Sequence, residues 1–193
     1  MIHPDSELRF VSPPIGYGLF ATRLIPRGTI TWVGDPLDQV LSPLQYEGLP
    51  PILRALANKY SYLNGRGARV LCWDHGRYVN HSCAATCLSP GFDLEVAVHD
   101  ILPGEQITDD YGTLNLEEDF PCLCGAPDCR GVVRPDDPVR FAAAWDALTS
   151  AAFPLIPTLH QPLWELVAEK EEIAQVLAGT QKLPSVLAHY RGR

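Results

Sequence analysis

Over residues 1–134, apolar and polar positions alternate in short runs closed by Gly, Pro or Asp. "GTITWVG", "ARVLCWD", "LEVAVHD" and "GEQITDDYG" each read as a strand bounded by turn signals. Two pieces, "TRLIPRGTITW" and "VHDILPGEQITDD", share one layout: an apolar pair, a Pro-Gly-type turn, then a strand. This is a weak internal similarity rather than a repeat array. Between them the period changes. Ser42 followed by Pro43 signals a helix start, and Leu53, Leu56 and Ala57 recur at helical spacing, predicting a small helical insert over 42–60. From Asp136 the chain turns helical. "DDPVRFAAAWDALTSAA" opens with acid and proline, and "QPLWELVAEKEEIAQVLAGT" keeps helical spacing through Leu163, Leu166, Val167, Ile173 and Val176 up to Gly179. A short helix follows near "PSVLAHY". Trp145, Leu148, Leu163, Leu166 and Val167 are expected to bury apolar faces, against the β-rich body or against a second copy in a homodimer.

The 193 residues suffice for one core or for a domain with an appendage, and 15 Gly with 18 Pro favour short elements. The start "MIHPDSELRF" has no basic or apolar run, and no apolar stretch reaches membrane-spanning length. The expectation is an intracellular, cytoplasmic protein without a membrane partner. A net charge of −8 makes nucleic acid a poor partner and a basic protein a better one.

Cysteine placement narrows the chemistry. "CLCGAPDC" sets Cys122, Cys124 and Cys129 around a Gly-Pro turn, which suits a tetrahedral Zn²⁺ site lacking one ligand. The stretch "RYVNHSCAATC" at 77–87 offers Cys83 or Cys87 as the fourth. Cys72 lies in an apolar strand and reads as buried.

"GYGLFA" at 16–21, "RYVNHSC" at 77–83, "GEQITDDYG" at 104–112 and the C-x-C-x4-C cluster occur in that order. The series resembles the SET-domain protein lysine methyltransferases with a post-SET zinc module, over roughly residues 8–133. The resemblance implies an α+β, β-rich fold of small twisted sheets with a knot-like crossing. It implies a SET domain over 1–120, a zinc module over 121–134 and a helical C-terminal extension over 135–193. It also implies methyl transfer from S-adenosylmethionine to the side-chain amine of a lysine in a basic protein. By the same resemblance Gly16, Tyr17, Gly18, Arg77, Asn80, His81 and Leu123 line the donor site, and Leu123 packs on the adenine. Cys83 completes a zinc set with Cys122, Cys124 and Cys129, Tyr111 is the catalytic tyrosine, and Tyr60 or Tyr62 lines the acceptor channel.

Some positions depart from the family. Asp109 stands where an aromatic is common, "WVGD" replaces a Tyr-x-Gly-Glu stretch, and Ala85-Thr86 replaces Pro-Asn. Trp32 and Asp109 are expected to face the channel, Asp109 either orienting the incoming nitrogen or turning outward to cap a turn. These departures motivate an alternative function, a catalytically inactive zinc-bearing interaction module on the same fold.

Overall fold

A computed structural model describes residues 1–192. In the first half, strands β1 (Ser6–Ser12), β2 (Gly16–Ala21), β3 (Ile30–Val33) and β4 (Gln39–Leu41) lead into helices α1 (Pro43–Glu47) and α2 (Pro51–Tyr60). Strands β5 (Ser61–Leu63), β6 (Arg69–Leu71), β7 (Asn80–His81), β8 (Cys87–Leu88), β9 (Leu94–Ala97) and β10 (Gln106–Asp109) follow. A small hairpin of β11 (Phe120–Pro121) and β12 (Val132–Val133) precedes helices α3 (Asp137–Ala152) and α4 (Lys170–Leu177). No helix among the described residues is long and apolar enough to cross a membrane.

The strands form small sheets in the orders β1-β2-β10-β7, β3-β9-β8 and β4-β6-β5. In the first, β10 lies antiparallel to β2, with Ile107 opposite Leu19, and parallel to β7, with Asp109 opposite His81. That pairing places "GYGLF", "NH" and "TDDYG" side by side. The two look-alike pieces also meet: Ile25 and Ile101 exchange backbone hydrogen bonds of 2.9 Å in both directions. Gly28 and Gly104, in their turns, both take positive φ.

The insert forms where the pattern places it. Ser42 Oγ accepts from the Gln45 N–H while the Ser42 N–H donates to Gln45 Oε1, a capping box at the start of α1. Gly48 and Pro50 then split the insert into two helices. The apolar spacing in α2 is not a core stripe, however: Leu53 and Leu56 are exposed and only Ala57 is buried.

The C-terminal residues complete the main core. Leu94 and Val96 on β9 point one way along the strand, as its period of two requires, into a cluster with Trp145, Phe153, Ile156, Leu163, Val167 and Ile173. This packing occurs within one chain, and Leu148 joins it at the edge. Leu166 does not, being 38% exposed. The continuous helix expected over 162–179 is also broken. Trp164–Leu166 is a single 3-10 turn, Val167 is extended, and α4 starts only at Lys170. The break serves packing, because Val167 turns into the core and Glu169 accepts a hydrogen bond from the Asp93 N–H at 3.0 Å. Gln161 performs a similar service: its Oε1 accepts from the Ile30 N–H and its Nε2 donates to the Gly28 carbonyl, tying the tail to the edge of β3.

The tail is further fastened by charge. Arg130 bonds to Asp110 Oδ1 and, at 3.1 Å, to Asp137 Oδ2, and both carboxylates are buried. Its guanidinium also lies 5.0 Å from the Phe141 ring centroid. Removing the cation would leave buried Asp110 without a permanent cation and Asp137 with only Arg140 Nη1 at 3.7 Å, a loss of about 3–5 kcal/mol. Arg130→Ala should therefore lower the urea midpoint by that equivalent at unchanged slope, and adding Asp137→Asn should restore part of it. A change below about 1 kcal/mol would place Arg130 among ordinary surface pairs.

Candidate active site

Strand β2 carries the Gly-x-Gly segment. Gly16 has φ +85°, and nothing lies within 4 Å of where a Cβ would point. At Gly18 the reason for glycine is different: a Cβ would meet the Asn80 Nδ2 at 2.6 Å and Gln106 Oε1 at 2.1 Å. Asn80 Nδ2 uses that closeness, donating to the Tyr17 carbonyl at 3.0 Å and to Gln106 Oε1 at 2.9 Å. Tyr17 stays exposed, with Phe10 and Tyr78 edge-on to its ring. Leu123 is 65% exposed. The faces proposed by resemblance for the donor are thus open backbone and uncovered apolar surface. Arg77 is held by its own turn, its Nε donating to the Asp74 carbonyl at 3.0 Å.

His81 links this strand to the cysteines. Its Nδ1 accepts from the Tyr111 N–H at 3.1 Å, and its Nε2 lies 3.4 Å from Cys83 Sγ. From these partners we assign the ring proton to Nε2, which donates to the sulfur. Burial lowers the His81 pKa and keeps the ring neutral, although Asp110 opposes this.

Cys83, Cys122, Cys124 and Cys129 come together as expected. Cys122 Sγ lies 3.7 Å from Cys83 Sγ and 3.5 Å from Cys129 Sγ, and the Cys83 N–H points at Cys124 Sγ at 3.5 Å. Four sulfurs about 2.3 Å from one zinc sit about 3.7 Å apart, so this spacing suits the ion. The ligand atoms of His81, Cys83, Cys122 and Cys124 also lie within 4.8 Å of one another. With its proton on Nε2 and its Nδ1 lone pair engaged, however, His81 has no lone pair for a metal. Burial raises the Cys124 pKa, but hydrogen bonds from the Cys83 and Ala126 N–H groups and the neighbouring thiols outweigh it and bring the value down to about 6. Cys87 is not part of the cluster. It is buried in β8, beside Thr86.

On the other side of β10 opens a cavity of about 580 Å³, lined by Trp32, Tyr60, Tyr62, Asp109 and Tyr111 among others. Tyr62 stacks edge-on against Trp32 at 6.0 Å between centroids. Tyr111 sits on a 3-10 turn, Tyr111–Thr113, that Asp110 caps by accepting from the Gly112 N–H at 3.0 Å. The Tyr111 hydroxyl donates to the Val79 carbonyl at 2.8 Å. Burial raises its pKa, and the nearby Asp109 and Glu95 raise it further, so the phenol keeps its proton. Asp109 does not turn outward to solvent. It is buried in the cavity wall, and its Oδ1 accepts from the Asp110 N–H at 2.6 Å.

Three cavity residues carry no motif in the sequence: Glu95, Val186 and His189. Glu95 lies opposite Trp32 in the β3–β9 pairing and lines the same cavity. Its neighbours Leu94 and Val96 face the core, so the alternation in "LEVA" carried the signal that Glu95 faces the other way. Val186 and His189 of the tail also reach the cavity wall, with His189 Nε2 3.1 Å from the Phe92 carbonyl. Nothing in the local pattern of "PSVLAHY" announces this.

Residues 16–112, half of the chain, match the family model described as the SET domain. The H3 lysine-4 specific histone-lysine N-methyltransferase of Schizosaccharomyces pombe is 42% identical over 62 residues, covering 28% of this chain and 7% of that protein. The Drosophila melanogaster histone-lysine N-methyltransferase SETD1 is 30% identical over 145 residues, covering 66% of this chain and 8% of that protein. The chain thus spans less than a tenth of the length of these curated relatives. The methyltransferase domain of human SETMAR aligns with a TM-score of 0.46 at 19% identity, covering 69% of this chain and 58% of that one. The family match runs from the Gly-x-Gly strand to Gly112 and so takes in Asn80, His81 and Tyr111 at the β2–β10–β7 junction: the chain belongs to the SET domain family.

Proposed function

We propose that the chain transfers a methyl group from S-adenosylmethionine to the side-chain amine of a lysine in a basic protein. The observation that carries the proposal is the position of Tyr111. It borders the cavity, while its backbone N–H bonds to His81 on β7, the strand that flanks β10 on the side away from the Gly-x-Gly strand β2. The relatives' names make a histone-like protein the first substrate class to test. The acidic cavity residues Asp93, Glu118 and Asp119 suit flanking Lys or Arg.

Gly16, Tyr17 and Asn80 would hold the donor by backbone and amide groups, with His81 packed behind Asn80, Leu123 and Tyr17 covering its ring, and Arg77 completing the floor. When bound, the donor supplies a methyl group already activated by a sulfonium. The chain's own task is to orient the nitrogen for in-line attack and to exclude water. Trp32, Tyr60 and Tyr62 would flank the lysine stem. Tyr111, protonated and fixed to Val79, offers its oxygen lone pairs as an oriented acceptor for the nitrogen rather than as a base. Cys83, Cys122, Cys124 and Cys129 would hold one structural Zn²⁺ that fixes Leu123 against the donor site.

Incubating core histones, and separately a cell extract, with labelled donor tests the proposal. A labelled band with a methylated lysine in its mass spectrum is expected. Unlabelled material throughout would favour the inactive interaction module.

Two further outcomes follow from the residue roles. Tyr111→Phe should lower turnover by about 100-fold while leaving donor affinity within a few fold, because the hydroxyl acts mainly in the transition state. Equal turnover of both forms would remove the phenol from the mechanism. Metal analysis should find one zinc per chain, and Cys124→Ser should lose both zinc and donor affinity. Full zinc in that variant would contradict the four-cysteine set.

A further inference from the structure

Two carboxyls of the cavity wall, Asp109 and Glu95, lie beside Tyr111. Asp109 follows the core residue Ile107 by two positions on β10, so both point inward. Glu95, opposite Trp32 on the neighbouring strand, enters the same cavity wall from β9, and each carboxyl shifts the titration of the other. Two neighbouring buried carboxyls resist double ionisation, and one can bond to the other only while carrying a proton, because an ionised carboxylate only accepts. Among the described residues no salt bridge reaches either group. The titratable groups that act on the pair are Asp110, Tyr62, Tyr111 and Cys87, while Lys59, Arg69 and Arg77 line the same cavity without a salt bridge to either carboxyl.

We propose that the Asp109–Glu95 pair, sharing one proton in the cavity wall beside Tyr111, accepts the proton that the substrate ammonium must lose before methyl transfer. The inference rests on the methyltransferase reading above. An ammonium entering the cavity is drawn to the singly charged pair. One N–H bond breaks and one O–H bond forms, leaving a neutral amine and a doubly protonated, uncharged pair. The freed lone pair then forms the N–C bond as the donor's C–S bond breaks with its electrons left on sulfur. Product departure lets the pair return its extra proton to water. Burial, with the bond to Asp109 partly opposing it, pushes Glu95 up to about 7, and burial then Glu95 and Asp110 raise Asp109 well beyond the usual carboxylate range. The pair is therefore singly charged from about neutral pH upward, where a general base works best.

The test compares wild type, Glu95→Gln and Asp109→Asn, each confirmed to retain zinc. The first readout needs no substrate. A group whose pKa is raised on folding binds its proton more tightly in the folded chain, so its contribution to stability is lost as pH rises through the folded value. The wild-type thermal midpoint should fall as pH rises from about 4.5 to about 7, the window between the ordinary and the folded Glu95 values, and the Glu95→Gln midpoint should fall less over that window. Parallel curves would overturn the shared proton.

The second readout uses a lysine-scanning peptide library with arginine flanks, and the same library built with γ-thialysine, whose amine is less basic. Glu95→Gln should slow transfer to lysine by about 100-fold and to thialysine by much less. Equal losses on both libraries would overturn the proton-acceptor role and leave Glu95 a structural residue. A wild type that modifies neither library would instead overturn the methyltransferase reading, and the role of the pair with it. The midpoint curves would still report separately whether the proton is shared.

Discussion

Arg130 is the one group on which the separate parts of this molecule converge. Its Nε points at Cys83 Sγ at 3.4 Å, and its two terminal nitrogens bond to Asp110 and Asp137. Those three contacts belong to the cysteine module, the turn that carries Tyr111, and the first helix of the C-terminal extension. Gly112 shows how tightly the last two are joined: a Cβ there would meet Trp145 at 2.9 Å and Asp137 at 3.2 Å. Tyr111 is therefore positioned by a charge cluster rather than by its strand alone. The extension and the cysteine module both sit upstream of the site in a physical sense. A change in either is felt at Asp110, which is buried and caps the turn.

The same constraint shapes the electrostatics. One guanidinium faces two buried carboxylates and a set of sulfurs, one of them with its pKa brought down to about 6. A divalent ion among the cysteines would offset negative charge that Arg130 alone leaves uncompensated. On the far side of β10 the polarity is opposite in purpose. There no salt bridge reaches Asp109 or Glu95 among the described residues, burial raises both carboxyls, and Tyr111 stays protonated beside them. The neutral His81 separates the two regions, with one ring nitrogen turned to the sulfur and the other to the Tyr111 backbone.

Much of this was legible in the residues because their spacing is local. The order of Gly-x-Gly, "NHSC", "DYG" and the cysteine run pointed to the family, and the alternation in "LEVAVHD" and "GEQITDDYG" located β9 and β10. The cysteine set, with Cys83 rather than Cys87, assembles by distance as the resemblance implied. What stayed hidden depends on partners distant in the chain. Glu95 carries no local signal of a site, because its role depends on Trp32 across the β3–β9 pairing and on the cavity that it shares with Asp109. At Gly18 the missing Cβ also makes room for the Asn80 amide, a partner 62 residues away in the chain that the Gly-x-Gly spacing alone does not disclose. The helix expected over 162–179 breaks because Val167 and Glu169 find tertiary partners worth more than continued helical bonds. Leu53 and Leu56 in turn obey a helical period with nothing packed on them.

Every role proposed for Tyr111 and the Gly-x-Gly strand requires that they border a donor site. Titration calorimetry of S-adenosylmethionine into the zinc-loaded chain addresses that directly. One saturable site per chain, competed by the demethylated thioether product, is the predicted result. A titration with no heat beyond dilution, and no competition by the thioether in a parallel labelled-donor assay, would contradict it.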